Sequence, residues 1–156
     1  MNPHVLPATT HSYLARAAES LSEAVTSTEA TTRYACAHVA ALRAAAALLA
    51  ARATPTTPTR RKLQKNAWVL LAEVAPELAE WASFFAAGAG KRAAAEAGSR
   101  RAVTEREADD LVRDADRFLA VVEQSLGLVP HAATLPYLVQ QAPIPSVARL
   151  PARRVG

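Results

Sequence analysis

The sequence predicts an all-α protein: an up-and-down bundle of four main helices plus a short one, followed by an irregular C-terminal tail. Three observations predict it. Apolar residues make up 51% of the chain but aromatics only 5%, so alanine carries much of the apolar content. Alanine is the best helix former because it loses no side-chain entropy and buries no polar group. Apolar residues also recur at helical spacing through four long segments. Finally, the breakers sit between those segments. Of ten prolines only Pro76 falls inside a strongly periodic stretch, and Gly88, Gly90 and Gly98 lie between helical patterns. A chain of 156 residues is long enough for one domain with a real core and short for two.

The first helix is expected over 12–26, where Leu14, Ala17, Ala18, Leu21, Ala24 and Val25 form a stripe opposite Glu19 and Glu23. Thr10 or Ser12 can cap it, which leaves 1–11 as a disordered N-terminus. The second is expected over 29–53, with Tyr34, His38, Ala41, Leu42, Ala45, Leu48 and Leu49 on its apolar face. Residues 54–65, TPTTPTRRKLQK, cannot sustain a helix through two prolines and read as a solvated linker. The third helix should open at Asn66, a good N-cap residue. Its stripe is Trp68, Leu71, Ala72, Ala75, Leu78, Ala79, Ala82 and Phe85, with Trp81 and Phe84 beside it. Pro76 should kink this helix or start a new one. Four of the five Trp and Phe residues fall here, so this helix anchors the core.

After Gly88 and Gly90 a short helix is expected over 91–97. The last strong helix starts at Thr104-Glu105-Arg106-Glu107, which fits the capping box. Ala108, Leu111, Val112, Ala115, Phe118, Leu119, Val122 and Leu126 make the cleanest stripe in the chain, and Gly127 ends it. From 128 onward the periodicity is gone. The tail has five prolines and two short apolar clusters, and should drape over a surface or stay disordered. The bundle proper is thus expected over 12–127.

A single Cys36 excludes an internal disulfide and a cysteine-based zinc cluster. The N-terminus lacks a basic region followed by an apolar run, so it does not read as a secretory signal. The longest uninterrupted apolar run, Ala44 to Ala51, falls far short of the roughly 20 residues of a membrane span. The expectation is a reduced, cytoplasmic protein with no membrane partner.

Net charge is +4, unevenly spread. Arg60, Arg61, Lys62 and Lys65 lie in one interhelical segment, and Lys91, Arg92, Arg100, Arg101 and Arg106 in another, while the last helix is acidic. A basic rim on a bundle can meet phosphates; solvated surface charge accounts for the same residues. Glu107, Asp110 and Asp114 share a helix face, but Arg106, Arg113 and Arg117 intersperse them, so a salt-laced surface is preferred to a magnesium site. His4, His11, His38 and His131 are scattered, and a metal site built from them would need the chain to fold back on itself. No metal and no cofactor are expected. There is no Gly-rich phosphate loop, no HExxH and no nucleophile elbow.

Arg33 and His38, in RYACAH, remain. In-line RNA cleavage needs a base for the 2′-hydroxyl and a cation for developing phosphorane charge, which histidine and arginine supply. The two lie about 140° apart around the helix axis, so they do not share a stripe. A chain this rich in arginine yields about one Arg-x(4–6)-His match by chance.

RYACAHVAALRAAAALLA, APELAEWASFFAAGA and TEREADDLVRDADRFL together resemble the HEPN superfamily (higher eukaryote and prokaryote nucleotide-binding domain) and, more narrowly, a small actinobacterial HEPN-like family of SAV type. The resemblance covers roughly 12–126. It implies a bundle of four main helices, often dimeric, in proteins that handle RNA or nucleotides. Many members are ribonucleases of toxin or antiviral systems, and others are inactive binding or scaffold units. In ribonuclease members the Arg-x(4–6)-His motif lies late in the domain; here no histidine occurs between His38 and His131. The ribonuclease role is therefore not carried onto a matching position.

The expected function is a non-catalytic module that binds RNA, nucleotide or a protein partner, with Tyr34, Arg60, Arg61, Lys62, Lys65, Arg100 and Arg101 as binding candidates. One alternative is a metal-independent endoribonuclease using Arg33 and His38 in a homodimer. Another is a structural adaptor whose tail docks on a partner.

Overall fold

The computed structural model describes residues 5–52 and 67–132 of the chain. Among them are six α-helices, one 3₁₀ turn and no strand. Helix α1 is Ala8–Thr26 and α2 is Ala30–Arg52, joined by a connection of three residues that turns them into an αα-hairpin. Helix α3 is Ala67–Val74, the 3₁₀ turn is Pro76–Leu78, and α4 is Ala79–Ala87. Helix α5 is Ala89–Glu96 and α6 is Glu105–Ser125. The protein is all-α, a bundle in which α2 packs against α1, α3, α5 and α6. The linker residues 53–66, with the expected cap Asn66, and the tail 133–156 lie outside the described residues, as do residues 1–4.

Helix α1 begins four residues before the expected start. Pro7 supplies its N-terminal cap, and the amides of Thr10 and His11 bond back to the Pro7 carbonyl. Thr10 does not cap; it is fully buried and its Oγ1 donates to the Ala47 carbonyl of α2 at 3.0 Å. A buried hydroxyl needs such a partner, and a threonine near a proline reads as a cap when that partner is far away in sequence.

Helix α2 is central because it is apolar on nearly every side. Ala37, Ala41, Ala44, Ala45 and Leu48 are all inaccessible to solvent. A helix that is apolar all round belongs inside, and small side chains let its neighbours approach closely. Over its 23 residues α2 is long and apolar enough to cross a membrane, with a mean hydropathy of 1.5 in its most apolar window and more than half of that window buried in the bundle. The run-length argument missed this because His38 and Arg43 interrupt the apolar stretch without lowering its mean below a span's.

Pro76 does break the third helical pattern. It cannot donate the amide an α-helix interior requires, so Ala75 leaves helical geometry and a 3₁₀ turn restarts the chain as α4. The short helix begins directly after Gly88, so Gly90 lies inside it rather than ending its predecessor. The capping box at α6 forms as expected: the Glu107 amide donates to Thr104 Oγ1 at 3.0 Å, and the Thr104 amide to Glu107 Oε1 at 2.9 Å. Gly127 follows α6 with φ of 79°, a left-handed conformation in which glycine carries no steric penalty.

The large anchors form one block. Phe85 stacks on Trp68 at 5.2 Å and on Trp81 at 5.9 Å, and Phe118 of α6 closes on Phe85 at 5.1 Å. Aromatic pairs in these geometries add to the burial of their area.

Candidate functional site

His38 projects from α2 into this aromatic block. Its ring lies edge-on to Trp68 and Phe85, both at 6.1 Å, and the residue is 2% exposed. Nε2–H donates to the Phe85 carbonyl at 2.9 Å. That carbonyl belongs to the last turn of α4, where it also accepts the Gly88 amide at 3.0 Å, so the imidazole takes its second lone pair. The bond fixes the tautomer, since Nδ1 has no hydrogen-bond partner among the described residues. Burial lowers the imidazole pKa, and nearby Arg92 adds to this against the Phe85 bond. The ring is therefore neutral at pH 7.

Tyr34 lies one turn before His38 on the same face and is also buried. The two side chains close over Gly88, where a β-carbon would stand 2.9 Å from the Tyr34 hydroxyl and 3.6 Å from His38 Cδ2. Burial pushes the Tyr34 phenol up, opposed by Lys91 and reinforced by Glu107. Lys91 and Glu107 are themselves paired at 2.5 Å, a bond that draws the Glu107 carboxyl down and the Lys91 ammonium up. Glu107 thus serves both the α6 cap and the α5–α6 contact.

Arg33 is bound elsewhere. It is 7% exposed. Nη1 donates to the carbonyls of Ser27 and Thr28 at 3.2 and 3.1 Å, and Nη2 to Glu105 at the start of α6. Nε lies 3.1 Å from Asp109 Oδ1, an ion pair without a directed hydrogen bond. Arg33 is a strap from the α1–α2 turn to α6. Arg33 and His38 are therefore held by different parts of the bundle, and every polar atom of either that makes a hydrogen bond spends it inside the protein.

Of the basic candidates, Arg100 and Arg101 sit in the turn between α5 and α6, both exposed, and Arg106 is exposed in the first turn of α6. Gly98, at φ of 93°, shapes the start of that turn. Lys91 and Arg92 lie in α5 rather than in a loop, and both are engaged, Arg92 weakly with Glu96 at 3.7 Å. Arg60, Arg61, Lys62 and Lys65 lie outside the described residues. On the acidic face, Asp110 pairs with Arg113 and Asp114 with Arg117, both three residues apart, a salt-laced surface as expected.

The feature that sequence reading missed is His131. Its Nδ1 is 2.6 Å from Glu123 Oε1, its Nε2 is 2.8 Å from Asp116 Oδ1, and its amide donates to Glu123 Oε1 at 3.0 Å. Asp116 is 7% exposed although it sits in the apolar stripe of α6. A carboxylate there needs a partner, and that was the available signal. The two acids approach opposite ring nitrogens, and among the described residues no group of three or more His, Cys, Asp or Glu converges to hold a metal ion.

A shallow open cleft of about 160 Å³ lies between α1, α2 and α5, lined by Ser20, Glu23, Cys36, Arg43 and Glu96 among others. Burial and the neighbouring Glu23 push the Cys36 thiol up, away from the reactive thiolate. Arg43 is tied to Ser20 Oγ at 2.6 Å.

Neither the curated proteins nor the solved structures yield a match to this chain. The family model described as HEPN_SAV_6107-like HEPN matches residues 24–123, from the end of α1 through nearly all of α6. That span takes in the Arg33 strap, the buried His38, the aromatic block and the capping box, and the chain belongs to the HEPN_SAV_6107-like HEPN family.

Proposed function

We propose that this protein is a non-catalytic HEPN module that binds single-stranded RNA through the basic turn between α5 and α6. The observation that carries the reading is a contrast in how cations are used. Arg33, Arg52, Lys91, Arg92, Arg113 and Arg117 each have a carboxylate partner. Arg100, Arg101 and Arg106 are exposed, lie within seven residues of one another, and pair with no carboxylate among the described residues. Unpaired guanidinium groups beside the positive end of a helix are suited to phosphate, which accepts their fork-like donors.

The non-catalytic part rests on accessibility. A ribonuclease using Arg33 and His38 needs both groups at one phosphate, yet both are buried and committed to other partners. Replacing His38 with Ala is expected to leave RNA affinity unchanged and to remove no cleavage. An RNase activity that disappears in folded His38→Ala protein would replace this reading with the enzymatic one.

Binding is tested by fluorescence anisotropy with a labelled single-stranded RNA over a range of salt. Replacing Arg100, Arg101 and Arg106 with Gln should weaken binding and flatten the dependence of log K on log salt, by about 0.7 for each phosphate that is no longer neutralised. An affinity and a salt slope equal to those of the wild type would overturn the proposal.

A further inference from the structure

Gly127 turns the chain back so that the Leu128 amide bonds to the Glu123 carbonyl at 2.9 Å, and the next residues follow the flank of α6. At the end of this return His131 spans two carboxylates seven residues apart, with a ring nitrogen at each. A neutral imidazole has one N–H and one lone pair, so it can donate to only one of them; the other approach would set a lone pair against a carboxylate. Both are attractive only when the ring carries two protons. The arrangement is therefore specific for imidazolium.

We propose that His131 is a proton-operated latch: as an imidazolium it holds residues 129–132 against α6, and on losing its proton it lets them go. Both carboxylates belong to α6, and among the described residues no charged group of α1 or α2, which also pack on α6, acts on the ring. Burial by itself favours the neutral ring, but the bonds to Asp116 and Glu123 outweigh it and raise the pKa above the ordinary 6.5. The latch is thus closed below 6.5 and opens as pH rises through the value in the folded protein. With the ring neutral, one of the two carboxylates faces a lone pair rather than an N–H, and that repulsion works against reclosure.

The experiment is NMR on the full chain, following the His131 ring protons and the backbone order parameters of 129–132 across pH. The ring should titrate above 6.5, and the order parameters should fall with the same midpoint from about 0.85 toward 0.6 or below. Replacing Glu123 with Gln should move both midpoints down together. Replacing His131 with Gln, which cannot take up a proton, should leave the segment mobile at every pH while α6 stays ordered. A ring that titrates at or below 6.5 overturns the latch, as does a wild-type segment whose order does not change through the ring's titration.

Discussion

Gly88 is a glycine for reasons of space rather than backbone. Its φ of −88° and ψ of −1° suit any residue, but a methyl group would press on the Tyr34 hydroxyl. Gly88→Ala is expected to destabilise the protein by about 1–2 kcal/mol through overpacking. In a Tyr34→Phe background, where the clashing oxygen is gone, the same change should cost little or stabilise by up to about 1 kcal/mol, because alanine loses less entropy than glycine. Urea denaturation of the four proteins checks this, and an equal effect in both backgrounds would refute the close approach. His38 is legible in the sequence as a core residue, since it shares the face of Tyr34 and Leu48. Its partner is not, because the Phe85 carbonyl is a backbone atom that only the break at Pro76 brings to that place. Truncating His38 to Ala should cost about 2–4 kcal/mol, chiefly through the cavity it leaves among the aromatic rings; the Phe85 carbonyl keeps its bond from the Gly88 amide.

At the scale of elements, the bundle is tied at both ends of α6. Thr104 and Glu107 cap its start, Arg33 bonds it to the α1–α2 turn, and His131 grips its far half. Thr104→Ala should lower stability by about 1 kcal/mol, the usual worth of an N-cap hydroxyl. Arg33→Met should cost more than Thr104→Ala, because two carbonyls and Glu105 lose a donor and Asp109 loses its ionic partner together. Equal midpoints in thermal unfolding would count against the strap. The helices themselves were readable from periodicity, the capping box from four consecutive residues, and the break from one proline. The early start of α1 was not, because Thr10 bonds to α2 rather than to its own helix. Nor was the pairing of His131 with α6, since the irregular residues that carry it have no period to read. The ties from Arg33 to α6 join residues more than seventy positions apart, which spacing within one helix cannot reveal.

For the molecule as a whole, two histidines give stability a pH optimum. His38 has a lowered pKa in the folded state, so the unfolded chain protonates first as pH falls. Its contribution is complete above 6.5 and drains away below, at up to about 1.4 kcal/mol per pH unit until the folded pKa is reached. His131 has a raised pKa, so its contribution is complete below 6.5 and fades as pH rises through the folded value. Unfolding free energy from urea titrations should therefore decline on both sides of this pH. His38→Gln should flatten the acid limb, and His131→Gln the alkaline one. The placing of both indole rings has a practical corollary. Trp68 and Trp81 stack on the same phenylalanine, and α2 reaches them through the His38 ring, so tryptophan emission samples a single corner of the molecule and no indole belongs to the α1–α2 hairpin itself. Unfolding curves from emission and from far-ultraviolet dichroism will superimpose only if the hairpin and that corner melt as one cooperative unit.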